Sequence, residues 1–378
     1  MSRILVTGGA GFIGTGLVNR LANREHDVVV LDCLHPQVHG SGVEPPAVLA
    51  PPVRRVVDDV RNRSVVSKLV SDSEIIVHLA AHTGVGQSMY QVSEYTDVNV
   101  NGTAVLLEAI RMAGGPARKL VLASSRAIYG EGSYRCADCG PVVPSPRSPE
   151  RLACGEWEPR CPRCEGPVTA SATAETASPS PTSVYAVTKL AQEQIARTVA
   201  TASGFDAVAL RLFNVYGPGQ SRHNPYTGVI VAFVARALNG GAPEVYEDGL
   251  ESRDFVHVDD VVSAFVTAIE HDVPSGAYNV GTGRSVALLD VATMISASLG
   301  APAPRVSGRY RVGDIRHAAA ELTRSGVTLR YRPEVTFEDG LSQLLVGVAG
   351  QRWVDASERA TAELVANRLG GVALGRQS

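Results

Sequence analysis

Short apolar runs alternate along the first half of the chain with segments in which apolar residues recur at helical spacing. The first run, at 4–7, is followed by a helical repeat at Leu17, Val18 and Leu21. A short apolar run bounded by turn residues is typical of a buried strand, and the repeat is typical of one helix face. Similar runs lie at 27–32, 56–60, 74–81, 119–125 and 207–212. Strands that alternate with helices predict a doubly wound parallel α/β sheet.

A glycine-rich turn joins the first predicted strand to its helix. Gly8 permits a tight turn, Gly11 lets the backbone approach a pyrophosphate, and Gly14 allows close helix packing. Asp32 ends the second strand 18 residues after Gly14, where a dinucleotide-binding fold places the acid that binds a ribose 2′-hydroxyl. An acid there repels a 2′-phosphate, so the pair predicts NAD rather than NADP. The glycines alone would also fit a turn without a ligand.

Length and charge exclude several classes of function. At 378 residues the chain can hold one large or two medium domains, and 44% hydrophobic with 19% charged residues is an ordinary globular composition. A net charge of -3 offers no footprint for nucleic acid or an anionic membrane. No apolar run reaches the roughly 18 residues of a membrane span, and no secretory leader pattern is present. We therefore expect a cytoplasmic protein with small-molecule partners.

Tyr185 and Lys189 lie four residues apart in a segment with helical spacing, which places them on one helix face. A cation near a phenol favours the phenolate, so the Tyr185 pKa, ordinarily about 10, is expected to fall toward neutrality. Tyr185 would then be a usable general base, although such pairs also occur on solvated helix faces. Ser125 ends the fifth strand, and ligands bind beyond the carboxyl ends of strands in such sheets. We expect Ser125 near the same ligand.

Three further residues and one loop lie near the predicted cleft. His78, inside an apolar strand, is predicted to be a satisfied core histidine, because a lone His has no second metal ligand. Asp59 is a candidate for the adenine amino group or a cap at a strand end. Cys33 is predicted to be a small buried residue beside the adenosine, without chemistry. The loop at 82–88 is expected beneath the cofactor.

Together, Gly8-x-x-Gly11-x-x-Gly14, Asp32, Ser125 and Tyr185-x-x-x-Lys189 resemble the extended short-chain dehydrogenase/reductase family, in its nucleotide-sugar epimerase and dehydratase branch. Further matches lie at 211–218, 253–260, 278–283 and 311–314, and the resemblance covers roughly residues 1 to 345. The expected organisation is an NAD-binding Rossmann domain at 1–215, a smaller substrate lobe at 216–345 that crosses back near 253–280, and a helical tail at 346–378.

The resemblance implies three sets of site residues. Catalysis falls to Ser125, Tyr185 and Lys189. Cofactor binding falls to Gly8, Gly11, Phe12, Ile13, Gly14, Asp32, Asp59, Val60, Leu79, Ala80, Ala81, Asn99, Ser124, Tyr185 and Lys189. The residues expected to bind the sugar nucleotide are Thr83, Gly84, Ser125, Arg126, Asn214, Arg253, Arg311 and Asp314. A diphosphate needs the forked donors that Arg supplies, although each Arg taken alone could form a surface ion pair.

The implied activity is C4 epimerisation of a nucleotide sugar by transient oxidation, with NAD as a retained cofactor. Branch members that dehydrate or decarboxylate usually carry an acid just after the strand-end hydroxyl, where this chain has Arg126 and Ala127. Elimination is therefore disfavoured. A net 4-ketoreductase or dehydrogenase of the same sugar class, an epimerase of the UDP-glucose type and a non-catalytic NAD-sensing protein stay open. A homodimer is the default expectation.

Five of the six cysteines lie between Cys136 and Cys164, in a segment about twice as long as the family usually has there. Two Cys-x-x-Cys pairs, Cys136 with Cys139 and Cys161 with Cys164, stand 21 residues apart. This spacing matches a four-thiolate zinc ribbon, predicted at 131–168. Four thiolates leave no open coordination position, so the Zn²⁺ would be structural. A reduced metal-free loop and disulfides are the alternatives, and Cys154 is predicted to take no part.

Overall fold

A computed structural model describes residues 1–40, 49, 52–222, 224, 226, 228–348 and 353–373. Parts of the predicted 346–378 tail, namely 349–352 and 374–378, lie outside the described residues. The strands are β1 (Arg3–Thr7), β2 (Asp27–Asp32), β3 (Arg54–Val57), β4 (Ile75–His78), β5 (Lys119–Ser125), β6 (Tyr134–Cys136), β7 (Gly140–Val142), β8 (Val168–Ala170), β9 (Asp206–Leu212), β10 (Asn214–Tyr216), β11 (Glu244–Val245), β12 (Ser252–Arg253), β13 (Phe255–His257), β14 (Gly276–Val280), β15 (Val286–Ala287), β16 (Arg305–Val306), β17 (Arg309–Arg311) and β18 (Gly370–Val372).

The helices connect these strands and cover the sheet. They are α1 (Phe12–Ala22), α2 (Pro36–His39), α3 (Arg63–Ser71), α4 (Val85–Ser88), α5 (Val92–Tyr95), α6 (Gly102–Ala113), α7 (Pro149–Ala153), α8 (Val184–Ser203), α9 (Val229–Leu238), α10 (Val258–Glu270), α11 (Leu288–Leu299), α12 (Thr323–Thr328), α13 (Phe337–Val348) and α14 (Ser357–Ala366). A π-helical turn spans Thr96–Asn101, and a 3₁₀ turn spans Arg126–Tyr129. Among the described helices, none is long and apolar enough to cross a bilayer.

The central sheet, within the described residues, has seven parallel strands in the order β14-β9-β5-β4-β1-β2-β3. Its register pairs Val6 with both Val30 and Val77. The strand order reverses beside β1, and ligands of such sheets bind outside the carboxyl ends of the strands at this point. The predicted doubly wound parallel sheet is therefore confirmed.

Apolar side chains hold helices on both faces of the sheet. Val6 packs with Leu17 and Val262 on the face covered by α1 and α10. Its neighbour Leu5 points the other way and packs with Val66 and Leu106, on the face covered by α3, α6 and α8. Each fully buried side chain of this size contributes about 1.5–3 kcal/mol. Burial on both faces explains why these strands are continuously apolar.

The structure corrects three predicted elements. The third strand lies at Arg54–Val57 rather than at 56–60, and the helix expected to begin at Asn99 is already helical from Val92. The tail is only partly helical, because β18 pairs antiparallel with β17. The crossover expected near 253–280 brings β14 into the central sheet beside β9.

The second half of the chain builds a smaller lobe with its own apolar core. Phe233 and Val234 of α9 pack with Val291 and Ile295 of α11 and with Leu344 of α13. In the cysteine segment, β7, β6 and β8 form a small antiparallel sheet in which Cys136 pairs with Gly140 and Val168. Both units lie beyond the strand ends where Ser125 and Asn214 emerge.

His78 is a satisfied core residue, as predicted. Its Nδ1 lies 2.7 Å from the Thr7 hydroxyl and its Nε2 lies 2.9 Å from the Thr103 hydroxyl, and both contacts are buried. Burial, reinforced by the nearby Lys189 charge, lowers the pKa of His78 from 6.5 to about 3. The imidazole is therefore neutral in the folded protein.

This histidine predicts acid sensitivity of the fold. Above pH 6.5 both the folded and unfolded states are neutral at His78, whereas between pH 6.5 and 3 only the unfolded state gains the proton. We expect the free energy of unfolding to fall by about 2 kcal/mol between pH 7 and pH 5. Urea unfolding at the two pH values measures this loss, with His78→Gln as the comparison. An equal loss in the variant would contradict the assignment to His78.

Candidate functional site

A cavity of about 650 Å³ opens at the carboxyl ends of the central strands. All eight residues predicted to bind the sugar nucleotide, Ser125 among them, line this cavity together with Tyr185 and Lys189. The predicted cofactor residues line it as well, with the exception of Asn99. The topology therefore brings together side chains that are distant in the sequence.

The glycine-rich turn forms a cradle that side chains would fill. Gly8 has φ +71°, and a Cβ there would lie 2.6 Å from the Ala80 nitrogen. A Cβ on Gly14 would lie 2.5 Å from the Gly8 oxygen, whereas one on Gly11 would meet only that oxygen, at 3.3 Å. Gly11 thus leaves its backbone accessible at the start of α1. This shape fits a dinucleotide pyrophosphate at a helix N-terminus.

Asp32 fixes the rim of this cradle. One of its carboxylate oxygens accepts a hydrogen bond from the Ala10 amide at 3.0 Å, and the other accepts one from the Leu34 amide at 2.9 Å. The carboxylate therefore orders the glycine-rich turn and the segment after β2. Cys33, beside it, is exposed and lines the cavity, so its prediction as a buried residue is wrong. The reason is that the chain leaves the sheet immediately after Asp32.

The adenosine end contains an ion-pair network that sequence analysis missed. Asp59 accepts hydrogen bonds from Arg61 Nε at 2.9 Å and from the Arg61 amide at 2.8 Å. The Arg61 hydrogen bond lowers the pKa of Asp59 despite its partial burial. Arg61 also pairs with Asp97. The Asp59 carboxylate thus closes a turn at the strand end, which was the simpler of its two interpretations.

Asn99 holds a loop rather than facing the cavity. Its side-chain oxygen accepts from the His82 amide at 2.7 Å, and its amide group donates to the His82 carbonyl and to the Thr188 hydroxyl. The residue is completely buried. These three bonds satisfy the side chain and Asn99 does not line the cavity, so its contact with the cofactor stays a prediction. The interaction instead joins the loop after β4 to α8.

Helix α8 begins beside the cavity and carries Tyr185 in its first turn. The Ser183 hydroxyl caps the helix by accepting from the Ala186 amide at 3.2 Å, and the Tyr185 amide donates to Ser88 Oγ at 3.0 Å. The Ser125 side chain lies close enough to the Tyr185 phenol to lower the pKa of that phenol. Ser125 Oγ accepts from the Ala127 amide at 3.1 Å, which fixes the hydroxyl. Ser125 and Tyr185 are therefore placed together by two rigid elements.

The predicted fall of the Tyr185 pKa toward neutrality is wrong for this arrangement. Burial raises the pKa of Tyr185, and the neighbouring Ser125 side chain offsets this only in part. Lys189 Nζ donates to the Ala123 carbonyl at 2.8 Å and to Gln192 Oε1 at 2.9 Å. Burial lowers the pKa of Lys189 to about 8 although Glu193 opposes the shift. Proximity on one helix face did not determine where the ammonium points.

The hydroxyl of Ser124 is directed into the protein. It donates to Glu193, whose carboxylate also pairs with Arg211 at 2.8 Å. Ser124 lines the cavity, but its hydroxyl bonds to Glu193 within the protein.

Among the residues predicted to bind the sugar nucleotide, three have a buried polar atom without a hydrogen-bond partner among the described residues. These atoms are Arg126 Nε, Asn214 Oδ1 and Arg311 Nε. Buried polar atoms are normally paired, so orphan atoms in a cavity indicate a ligand that pairs with them. The predicted binding residues therefore include groups with unused hydrogen-bonding capacity.

The arginines are held in place by neighbouring groups. Arg253 donates to the carbonyls of Arg316 and Ile315 at 3.0 and 2.8 Å, and the Arg311 guanidinium lies 4.9 Å from the centre of the Tyr246 ring. Burial, reinforced by Arg253, lowers the pKa of Arg126 to about 10, so this side chain stays charged at neutral pH. A cavity wall with several fixed cations suits an anionic ligand.

Glu251 is a buried acid that sequence analysis missed. It lines the same cavity, and its carboxylate lies 4.0 Å from Arg253. Burial raises the pKa of Glu251 well above its ordinary value, although Arg253 opposes the shift. Its place two residues before Arg253, where the matched stretch 253–260 begins, was the signal available from the sequence.

The four paired cysteines come together in space. The sulfurs of Cys136, Cys139, Cys161 and Cys164 all lie within 4.8 Å of one another, and the Cys136 and Cys164 sulfurs are 3.6 Å apart. Four thiolates bound to zinc at about 2.3 Å form a tetrahedron with edges of about 3.8 Å. Burial raises the pKa of Cys161, but amide and thiol hydrogen bonds outweigh it and bring the pKa to about 7. This geometry fits a tetrahedral metal, and Cys154 lies outside the group.

The cysteine segment is joined to the second lobe by a buried ionic network. Arg147 pairs with Glu131 at 3.3 Å and with Glu247 at 2.8 Å, and all three side chains are almost completely buried. Arg147 also donates to the carbonyl of Asp314, a cavity residue, at 2.9 Å. Arg316 pairs with Glu247 from the other side, at 2.9 Å. The segment therefore supports the cavity wall that holds Asp314.

Sequence comparison identifies relatives over nearly the whole chain. Residues 4–149 and 161–281 match the NAD dependent epimerase/dehydratase family. The chain is 42% identical over 350 residues to dTDP-L-rhamnose 4-epimerase of Burkholderia thailandensis, covering 92% of this chain and 95% of that protein.

Solved structures share the fold. UDP-glucose 4-epimerase from Thermotoga maritima with UDP-glucose superposes with a TM-score of 0.75 and 28% identity, over 91% of this chain and 98% of that one. MoeE5 in complex with UDP-glucuronic acid and NAD superposes with a TM-score of 0.73 and 29% identity, over 92% of this chain and 98% of that one. Both ligands are sugar nucleotides with a diphosphate, the anion for which the cavity's arginines are suited.

Proposed function

The chain belongs to the NAD dependent epimerase/dehydratase family, and on that premise we propose that it is an NAD-dependent nucleotide-sugar 4-epimerase that converts dTDP-L-rhamnose to dTDP-6-deoxy-L-talose. The observation that carries the proposal is the meeting, in one cavity, of Ser125, Tyr185 and Lys189 with the unpaired nitrogens of Arg126 and Arg311. The identity to the Burkholderia thailandensis enzyme supports this choice of sugar and nucleotide.

In this proposal the glycine cradle and Asp32 hold NAD. Gly11 faces the pyrophosphate, while Phe12, Ile13, Val60 and the stretch 79–81 supply apolar walls. When bound, NAD supplies a hydride acceptor for C4 of the sugar and a positive nicotinamide that favours the phenolate form of Tyr185. No net redox change results, so the protein should retain its cofactor through turnover.

Tyr185 is the proposed general base. The proton of the sugar C4 hydroxyl passes to its phenolate oxygen and returns to the sugar oxygen when the hydroxyl is restored. Ser125 lies beside the phenol and would help to position the C4 hydroxyl of the sugar. Lys189 is charged at neutral pH, since its pKa of about 8 lies above 7. Its charge would favour the phenolate, which is the direction that general-base work at neutral pH requires.

The fixed arginines would let the oxidised sugar present either face of its C4 to the cofactor. Arg126, Arg253 and Arg311 would hold the diphosphate, with Asn214 as a further partner. Thr83, Gly84 and Asp314 complete the wall on which the sugar turns. An anchored diphosphate lets the oxidised sugar rotate without leaving, which inversion at C4 needs. Arg126 and Ala127 follow Ser125, so no acid stands there to protonate a leaving hydroxyl.

We also propose that Cys136, Cys139, Cys161 and Cys164 hold a structural zinc ion, and that residues 131–168 form an inserted ribbon within a Rossmann domain at 1–215. The mutual approach of the four sulfurs supports this. The proposed substrate lobe at 216–345 has the core described above. Residues 223, 225 and 227 lie outside the described residues. A homodimer stays a prediction.

The decisive experiment is an assay without added cofactor. Purified protein is incubated with dTDP-L-rhamnose, with UDP-glucose as the comparison, and products are resolved by NMR. We expect the C4 epimer of dTDP-L-rhamnose, formed to an equilibrium mixture, and far slower turnover of UDP-glucose. A requirement for stoichiometric NAD(P)⁺, with the 4-keto sugar as the product, would instead identify a net oxidoreductase. Turnover of UDP-glucose alone would reject the proposed substrate.

A further inference from the structure

The C-terminal residues 353–373, here called the strap, form part of the cavity wall. Helix α14 forms their first part, and its inward face lines the cavity through Ser357, Ala360 and Leu364. Ala360 and Leu364 are each only 4% exposed, whereas Glu358 and Arg359 face solvent. The helix therefore forms a wall of the proposed sugar-nucleotide site, a role that its position at the end of the sequence did not suggest.

The strap contacts the cofactor half directly beside the proposed base. A Cβ on Gly86 would lie 2.9 Å from a methyl group of Leu364, so the two are closely packed. Gly86 belongs to α4, whose Ser88 accepts the hydrogen bond from the Tyr185 amide. Leu364 thus packs against the short helix that supports the start of α8.

Glu363 joins three distant parts of the chain. Its carboxylate accepts hydrogen bonds from the Tyr90 hydroxyl, at 2.9 Å, and from the Tyr226 hydroxyl. The two hydroxyls are themselves 2.8 Å apart. Tyr90 follows α4 in the cofactor half and Tyr226 precedes α9 in the substrate half. This arrangement, here called the clasp, ties the strap to both halves across the cavity.

The strap also positions a proposed phosphate ligand. The Thr361 hydroxyl lies 2.7 Å from the Tyr246 hydroxyl, and the Arg311 guanidinium lies over the Tyr246 ring. Further along, β18 pairs with β17, and Gly370 stands opposite Arg311 itself. The Val312 amide donates to the Leu369 carbonyl at 2.9 Å. Both the backbone and the side chain of Arg311 therefore depend on the strap.

We propose that residues 353–373 are part of the sugar-nucleotide site and close over the bound diphosphate, with Glu363, Tyr90 and Tyr226 as the clasp that holds them shut. The inference rests on the proposed function only in taking a nucleoside diphosphate as the ligand. The strap orders Arg311 and so favours ligand binding there. By reciprocity, a ligand bound to Arg311 must favour the closed strap by the same factor in its equilibrium constant. Glu363 is in this scheme a positioning residue.

The test uses the full-length protein as purified, with dTDP as the probe. We expect saturating dTDP to slow amide hydrogen exchange at 357–372 at least tenfold. Glu363→Ala should raise the Kd for dTDP about tenfold, the order expected when hydrogen bonds to a carboxylate are lost. Bound NAD should stay unchanged. Glu358→Ala is the matched control, since this residue lies on the same helix with 77% of its side chain exposed.

A second pair of variants covers the case in which Glu363→Ala misfolds. Leu364→Ala should weaken dTDP binding, whereas Val365→Ala, on the exposed face of the same helix, should not. Unchanged exchange at 357–372 with dTDP, or equal Kd values for each variant and its control, would overturn the proposal. Failure to epimerise any sugar would reject the proposed function alone, because dTDP binding and exchange are measured without turnover.

Discussion

Replacing Tyr185 by Phe is expected to lower kcat for C4 epimerisation by about 10²–10⁴-fold, the usual contribution of a positioned general base. The substitution removes the phenol that stands beside Ser125 on the cavity wall. The ring itself stays, so packing and cofactor content should change little. NMR of the sugar products measures turnover, and the nucleotide released on denaturation measures bound NAD.

A matched substitution controls for the general loss of a buried hydroxyl. Tyr278→Phe removes a phenol that donates to the Pro274 carbonyl at the far edge of the central sheet, away from the cavity. We expect kcat within about twofold of the wild-type value for this variant, because the buried ring stays and the lost hydrogen bond lies away from the cavity. If the two variants have the same kcat, Tyr185 is not the base and the proposed mechanism is lost.

Removing the metal should have the second large effect. The purified protein is expected to contain about one zinc ion per chain, and Cys161→Ser should abolish it. Structural zinc contributes roughly 10–16 kcal/mol in isolated zinc-binding peptides. Within a larger fold part of that loss is tolerated, and we expect the midpoint of thermal unfolding to fall by roughly 5 °C or more. Elemental analysis and calorimetry measure the two quantities.

The ionic network explains why this loss should extend beyond the insert. Arg147 is held between Glu131 and Glu247 and supports the Asp314 carbonyl. A buried carboxylate that loses its cation is strongly destabilising. Cys154→Ser serves as the control, because Cys154 lies outside the group of four sulfurs. Folded, active protein without metal, or with two disulfides by mass, would remove the zinc proposal.

The strands of the central sheet and the glycine cradle follow from the sequence, because they depend on local chemistry. Continuous apolar runs bury on both faces, and only glycine tolerates φ +71° and the close approach at Gly8. The roles of Asp32, His78 and the four cysteines could also be predicted from the sequence. A strand end, an apolar strand and two Cys-x-x-Cys pairs each restrict what the side chain there can contact. These features determined the fold class and the position of the site.

The tertiary structure alone decided what each functional side chain contacts. Helical spacing placed Lys189 near Tyr185, but packing directed the ammonium to Ala123 and Gln192, and burial raised the phenol's pKa. Asn99 was drawn to the His82 loop for the same reason. The strap depends on pairing between residues far apart in the chain, and no local pattern encodes such contacts. The sequence therefore determined which groups are present, whereas long-range packing determined their orientation and charge.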